Sequence, residues 1–267
     1  MLQRKTMKLG VNIDHIAVLR NARLINDPDP LDALGIVKRA GADQITIHLR
    51  EDRRHIHDED AYNIIKSSAL PVNLECSLDE DILDIVCKLK PHRATLVPEK
   101  RAEVTTEGGL DVLGQQSRLA HAIKKLHDAE IEVSLFIDPD IKSIEASAKL
   151  GVAWIELHTG SFANIYAMLN SNLSHSQHSI KSLEKLSRAE LSQALQSSIE
   201  QLKLGAIKAA KLQLKVAAGH GLNYQNLDDI TNISEIEELN IGQSIIARSV
   251  FTGLENAVKE MREILGS

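Results

Sequence analysis

The stretch Ile45–Asp52 (ITIHLRED) ends a short apolar run in polar, mostly ionisable residues, and seven other stretches of the chain end in the same way. These are Val11–His15 (VNIDH), Val72–Glu75 (VNLE), Thr95–Glu99 (TLVPE), Ser134–Asp140 (SLFIDPD), Ile155–Gly160 (IELHTG), Val216–Gly221 (VAAGHG) and Leu239–Gln243 (LNIGQ). Short apolar runs bounded by turn residues are typical of buried parallel strands. Eight such strands predict a closed barrel whose carboxyl ends meet at one mouth, where the active sites of this fold lie.

Segments with helical periodicity separate these runs. In Asp79–Lys90 the residues Ile82, Ile85, Val86 and Leu89 share one face, and acidic residues occupy the first turn, as the helix dipole favours. The same pattern predicts helices over Pro30–Ala40, Gln115–Glu130, Ile141–Leu150 and Phe251–Leu265. The alternation of strand and helix predicts a (β/α)8 TIM barrel, formed as a single domain by residues 1–267.

The connection between the sixth and seventh predicted strands is long. It runs from Gly160 to Leu214 and begins with a stretch rich in Ser, Asn and His, Asn170–Ser179. A helical segment is predicted from about Arg188 to Leu212. We interpret the connection as an inserted loop or an extra helix and not as a second domain.

Composition excludes several classes of function. The 267 residues suit one barrel, and the net charge of −6 argues against a general affinity for nucleic acid or for an anionic membrane. No apolar run approaches the roughly 18 residues of a membrane span. Cys76 and Cys87 lack metal-ligand spacing, so we expect free thiols and a cytoplasmic protein.

Two of the predicted strand ends carry groups suited to proton transfer. His48 and Arg50 face the same way in an extended segment, which places an imidazole beside an anion-binding guanidinium. Glu75 closes its strand, and burial would raise the pKa of its carboxyl toward the range useful for acid/base catalysis. Structural roles are the alternative: a hydrogen-bonded histidine at position 48 and an ion pair at Glu75.

Glycines at two other strand ends indicate an anion site. Gly219-His220-Gly221 and Gly242-Gln243 end the seventh and eighth runs, whose loops commonly bind phosphate in this fold. Simple tight turns are the alternative.

The segment around Thr105 suits either a mobile lid or an ordinary surface loop. Asp14-His15 suits either binding or strand capping, and His55 with His57 forms an H-x-H pair for which we disfavour a metal.

Several longer motifs resemble the pyridoxine 5'-phosphate synthase family. They are GVNIDHIAVLRNAR (Gly10–Arg23), ITIHLREDRRHI (Ile45–Ile56), VNLE, LVPEKR with EVTTEGGLDV (Leu96–Arg101 and Glu103–Val112), VSLFIDPD, IELHTG, AGHGL and ELNIG. The resemblance covers nearly the whole chain outside roughly residues 162–212. It implies a (β/α)8 barrel, usually a homo-octamer, that condenses 1-deoxy-D-xylulose 5-phosphate with 3-amino-2-oxopropyl phosphate. The products are pyridoxine 5'-phosphate, inorganic phosphate and water, and neither a cofactor nor a metal is implied.

The resemblance also implies roles for individual residues. His48 and Glu75 match the proton acceptors, and His220 matches the proton donor. The residues matching contacts to the deoxyxylulose phosphate are Asp14, His15, Arg50, His55 and Thr105. Those matching contacts to the aminoketone phosphate are Asn12, Arg23, Gly221, Gly242 and Gln243.

The chain departs from the family pattern at three places. Gln243 stands where the family usually has His, Ala217 stands where it usually has Asn, and the sixth connection is longer than usual. Two other functions stay open on sequence grounds. One is another barrel enzyme, either a metallohydrolase or an aldolase that would use Lys100. The other is a phosphate-binding barrel without turnover.

Overall fold

The computed structural model describes residues 7–99 and 108–266. Eight parallel strands pair in chain order, and the eighth pairs with the first, so the sheet closes into a barrel. The strands are β1 (Lys8–Asn12), β2 (Gln44–His48), β3 (Val72–Cys76), β4 (Arg93–Leu96), β5 (Glu132–Ile137), β6 (Trp154–His158), β7 (Lys215–Gly219) and β8 (Ile236–Ile241). The predicted TIM barrel is confirmed.

Helices surround this barrel. They are α1 (Asp14–Asn21), α2 (Ala33–Arg39), α3 (Asp58–Ser67), α4 (Glu80–Leu89), α5 (Gln116–Asp128), α6 (Ile141–Lys149), α7 (Gly160–Asn170), α8 (Arg188–Lys211), α9 (Asp228–Thr231), α10 (Gln243–Thr252) and α11 (Leu254–Ile264). The helix predicted over Phe251–Leu265 is wrong as a continuous element. Gly253, at φ +78°, ends α10 and begins the turn into α11. Within residues 7–99 and 108–266, no helix is long and apolar enough to cross a membrane.

The long sixth connection contains two helices. α7 follows β6 directly, a 3-10 turn covers Asn172–His175, and α8 begins at the residue predicted for it. Ser187 caps α8 by accepting a hydrogen bond from the Glu190 N–H, and the Glu190 carboxylate accepts one from the Ser187 N–H. The two helices share a small apolar cluster with Ile165, Met168 and Leu191 at its centre. The extended connection is therefore confirmed, whereas α7 was not predicted.

The strands place apolar side chains outside the barrel and polar side chains inside it. In β2, Ile45 and Ile47 are fully buried in the core, whereas Gln44, Thr46 and His48 alternate with them. Thr46 donates a hydrogen bond across the barrel to an oxygen of the β8 residue Asn240. Other buried polar side chains in the strands include Asn73, Arg93, Thr95, Ser134, Glu156 and Glu238. The interior is therefore more polar than the layers of branched apolar residues common in this fold.

Arg93 holds the lower part of this interior together. Its Nη1 donates to Glu238 Oε1 at 2.7 Å and its Nε donates to Glu132 Oε2 at 3.2 Å. The guanidinium carbon lies 3.8 Å from the centre of the Trp154 ring, within range of a cation–π contact. Gln44 donates a further hydrogen bond to Glu238. One cation from β4 thus joins carboxylates of β5 and β8 and the indole of β6.

We expect Arg93→Met to lower the free energy of unfolding by about 3–5 kcal/mol, because Glu238 would remain buried without its cation. Denaturant titration measures the change. Lys124→Ala is the control, since it breaks an exposed ion pair with Asp128 within one helix and should cost under about 0.5 kcal/mol. A loss of less than 1 kcal/mol for Arg93→Met would contradict this role.

Candidate active site

His48 lies between two carboxylates at the mouth of the barrel. Its Nδ1 is 3.8 Å from Glu75 Oε2 at the end of β3, and its Nε2 is 3.6 Å from Glu99 Oε2 just beyond β4. The Glu99 side chain is only 1% exposed, and its other oxygen accepts a hydrogen bond from the Glu51 N–H at 2.9 Å. Both ring nitrogens of His48 therefore face a group that can give or take a proton.

Asp14 ties the start of α1 to the end of β2. Its Oδ1 accepts a hydrogen bond from the His48 N–H, and its Oδ2 accepts one from Asn12 Nδ2, each at 2.9 Å. Asn12 Oδ1 in turn accepts from the Asp14 N–H. The carboxylate of Asp14 therefore positions the backbone of His48, and its role in binding stays a prediction.

Arg50 and His55 line the loop after β2. Arg50 Nε donates to Asp52 at 3.2 Å, and Arg50 Nη2 lies 3.4 Å from Glu99 Oε1. The His55 ring lies 6.0 Å from the His48 ring. Arg20 supports this loop from behind, since it forms two hydrogen bonds with Asp60 and a third with the His55 carbonyl.

The other wall of the mouth contains a second group of side chains. His158 ends β6, and its Nδ1 lies 2.9 Å from Asp138 Oδ1. The ring of His220 is inclined by 65° to that of His158, with 5.1 Å between the ring centres. The Thr159 hydroxyl lies within hydrogen-bonding distance of the carbonyls of Gly219 and His220. It therefore supports His220, a non-glycine residue at φ +86°.

The predicted phosphate loops lie at the starts of helices. Gly242 immediately precedes α10, a Cβ there would come within 2.8 Å of Asn12 Cβ, and Gln243 is exposed as the first residue of the helix. Gly221 has φ +75°, which favours glycine. In the part of the chain that the structure describes, no side chain caps the first turn of α10 or that of α7. The N–H groups of such a first turn can bind an anion.

Burial raises the pKa of three carboxyls in and beneath the mouth. The pKa of Glu75 rises well above its usual range because of burial and the nearby Glu156 and Asp14. Burial raises the pKa of Asp14 to about 6, against the opposing effects of His48 and Asn12. It also raises the pKa of Glu156 to about 7, although Asn240 donates a 2.7 Å hydrogen bond to this carboxyl. These carboxyls retain protons at a pH where exposed carboxyls have lost them.

Burial lowers the pKa of the histidines, because it disfavours their charged, protonated form. Burial lowers the pKa of His55 to about 3, with further lowering by His48, Arg50 and His15. Burial lowers the pKa of His220 to about 4, helped by His158 and His15. The pKa of His15 is itself lowered by burial. His15 contributes to the lowered pKa of both His55 and His220.

The structure brings most of the predicted site residues to the mouth. They are Asn12, Asp14, His15, His48, Arg50, His55, Glu75, His220, Gly221, Gly242 and Gln243. Arg23 is exposed in the turn after α1. Within residues 7–99 and 108–266, no side-chain contact joins it to the other site residues. Thr105 and Lys100 lie outside the described residues.

Sequence reasoning missed four groups: Glu99, Asp138, Glu156 and His158. Each belongs to a stretch already recognised as a strand ending. The sequence carried a usable signal for Glu156 and His158. They are two residues apart in a strand and therefore face the same side of the sheet, as Thr46 and His48 do. Glu99 lies beyond the end of β4, so alternation does not predict its contact with His48. The described part of the chain holds no group of three His, Cys, Asp or Glu residues arranged to bind a metal ion.

Comparison with known proteins assigns the chain to a family. The model of the family "Pyridoxal phosphate biosynthesis protein PdxJ" matches residues 9–267. The chain belongs to the PdxJ family. A pyridoxine 5'-phosphate synthase from Aliarcobacter butzleri is 68% identical over 97% of this chain and 99% of its own length. One from Nitratiruptor sp. is 69% identical over 97% of each chain. Near-complete coverage includes the long sixth connection, which is therefore not peculiar to this PdxJ member.

Solved structures agree on the fold. The tryptophan synthase A-subunit from Pyrococcus furiosus superposes with a TM-score of 0.57 and covers 99% of each chain. Its sequence is only 11% identical, so this likeness concerns the barrel alone.

We expect Glu156→Gln to change how stability depends on pH. Folding raises the pKa of Glu156 from 4.5 to about 7, so its stabilising contribution is full below pH 4.5 and is lost as the pH rises through 7. Glutamine does not titrate. The free energy of unfolding of the variant relative to the native protein should therefore rise by on the order of 3 kcal/mol between pH 4.5 and 8. Denaturant titrations at both pH values measure it, and a constant difference would refute the buried-carboxyl interpretation.

Proposed function

We propose that this PdxJ protein condenses 1-deoxy-D-xylulose 5-phosphate with 3-amino-2-oxopropyl phosphate, forming pyridoxine 5'-phosphate, phosphate and water. The observation that carries the proposal is the placement of His48 between the carboxyls of Glu75 and Glu99. Joining an amine to a ketone, removing water and closing an aromatic ring require repeated proton transfers. Positioned acid/base groups contribute about 10²–10⁴-fold each to such steps.

Each proton carrier then has a distinct task. Glu75, with its raised pKa, assists formation of the Schiff base and its dehydration. His48 removes protons from carbon or hydroxyl groups of the intermediate. His220 gives a proton to a leaving oxygen. Its low pKa in the free mouth suits this role once a phosphate is bound, because a nearby dianion favours the protonated imidazole.

The two phosphates need positive charge and N–H donors. The buried Arg50 supplies a guanidinium whose Nη2 lies 3.4 Å from Glu99 Oε1 but makes no hydrogen bond with the described residues. We propose that Asp14, His15, Arg50, His55 and Thr105 contact the deoxyxylulose phosphate. We propose that Asn12, Arg23, Gly221, Gly242 and Gln243 contact the aminoketone phosphate. At Gln243 the backbone N–H at the start of α10 is the donor that replaces a charged side chain.

We propose that the protein assembles with copies of itself, as a homo-octamer. α1 and α10 lie side by side, and exposed apolar side chains lie on them and on the turn after α1. Those residues are Val18, Leu19, Leu24, Ile25, Val250 and Phe251, and the last is 87% exposed. Apolar residues grouped in this way mark an interaction surface.

Both cysteines are free thiols, which suits the reducing cytosol that we propose as the location of the protein.

We expect Glu75→Gln to lower kcat by about 100-fold or more while the fold is kept, because the amide cannot exchange a proton. Product is measured by detection of the pyridinol after incubation with both phosphates. Glu80→Gln makes the same substitution on the exposed surface of α4 and should retain the native kcat. Turnover of Glu75→Gln close to that of the native protein would remove this carboxyl from the mechanism. Absence of product with the native protein would refute the proposed function.

We expect Phe251→Lys to weaken self-association, because a charge would have to be buried in the proposed contact. Analytical ultracentrifugation should show smaller species for this variant than for the native chain. Leu204→Lys alters another exposed apolar side chain, on α8, and should leave the assembly unchanged. A native protein that sediments as a monomer would end the proposal of an oligomer.

A further inference from the structure

The second wall of the mouth contains an aspartate–histidine pair to which the proposed reaction assigns no step. Asp138 follows β5, and its Oδ1 lies 2.9 Å from His158 Nδ1 at the end of β6. The hydrogen bond from His158 lowers the pKa of Asp138, so this carboxyl is ionised and can only accept. The proton between them therefore belongs to His158 Nδ1, and in the neutral imidazole Nε2 has a free lone pair.

The opposite nitrogen of this ring is buried without a partner. His158 is 7% exposed, and its Nε2 makes no hydrogen bond with the described residues. A buried polar atom left in this state is costly and rare unless a ligand or an ordered water occupies its site. Structural packing alone accounts for a histidine held by a carboxylate, but it does not account for an unused nitrogen on the inner face of the mouth.

Gly160 allows both imidazoles to lie close to the start of α7. A Cβ at Gly160 would clash with His158 Nε2 and would lie 3.1 Å from Cδ2 of His220. The edges of both rings therefore approach the same point of the backbone. The other groups on this side are the ring of Phe136, 5.1 Å from that of His158, and the carboxyl of Glu156, two residues earlier on β6.

We propose that Asp138 and His158 form a second acid/base pair, with His158 Nε2 acting on the same bound intermediate as His220. This proposal rests on the proposed function. During the loss of water that precedes ring closure, Nε2 takes a proton from a carbon of the intermediate. The electron pair of the broken C–H bond forms the new double bond, and the C–O electron pair leaves with the hydroxyl oxygen. His158 then gives its proton to that oxygen, which departs as water.

Asp138 is a positioning residue in this scheme. It holds the ring in one tautomer and stabilises the imidazolium that forms when Nε2 takes a proton. The same oxygen, Oδ1, also accepts a hydrogen bond from the Gly109 N–H at 3.1 Å, which helps to hold the carboxylate in place. At Gly109 a Cβ would clash with the backbone around Asp138, so this close approach requires glycine.

Two variants test the pair, with His178→Gln as the control because His178 is an exposed histidine in the β6–β7 connection. His158→Gln should lower kcat by about 100-fold or more and change KM by less than about threefold. A correctly folded His158→Gln with the native kcat would overturn the proposal.

Asp138→Asn keeps the side-chain shape but removes the negative charge that holds the ring proton on His158 Nδ1, so a larger share of the rings should carry the proton on Nε2. Nitrogen NMR of labelled histidine should show this change of tautomer, with a fall in kcat, and Asp138→Glu should restore part of the activity. An unchanged tautomer in Asp138→Asn would refute the pair even if His158→Gln fails to fold. If the native protein forms no pyridinol, the proposed function fails, whereas the tautomer result still decides whether Asp138 controls His158.

Discussion

Burial of polar side chains inside the barrel is the constraint on which the site depends. At the lower end of the barrel, Arg93 neutralises Glu238, which also accepts a hydrogen bond from Gln44. The amide nitrogen of Gln44 also lies 3.5 Å from the side-chain oxygen of Asn240. Asn240 then donates to Glu156 just beneath the mouth. Because each member uses the next to satisfy its hydrogen bonds, the chain of contacts transmits a defined geometry from the base of the barrel to its reactive end.

The same desolvation determines the charge of the mouth. It moves the carboxyls of Glu75 and Asp14 toward their protonated forms and the imidazoles of His55 and His220 toward their neutral forms. The mouth therefore holds several groups that can exchange protons. The phosphates of the proposed substrates would bring negative charge, which would favour protonated imidazoles beside them. In the proposed reaction, binding itself would thus prepare His220 as a donor.

The sequence predicts the barrel and much of the mouth because parallel strands place their carboxyl ends together. It places His48, Glu75 and His220 correctly at the ends of β2, β3 and β7. It could not predict that Glu99 turns back toward His48, since this contact depends on the path of the chain beyond β4. His158 was missed for another reason. Its own strand ending carried the signal, but its partner Asp138 comes from the neighbouring strand β5.

Two separated acid/base groups suit a condensation better than one. On one wall His48 stands between Glu75 and Glu99, and on the other His158 stands beside His220. A single group can remove a proton and return it only on the face of the intermediate that it contacts, so a leaving oxygen on the opposite face needs a second donor. Groups from β2–β4 and from β5–β7 face a bound molecule from different directions, so each can be in its required protonation state when its step occurs. A closed barrel supplies this arrangement because the ends of all its strands surround one space.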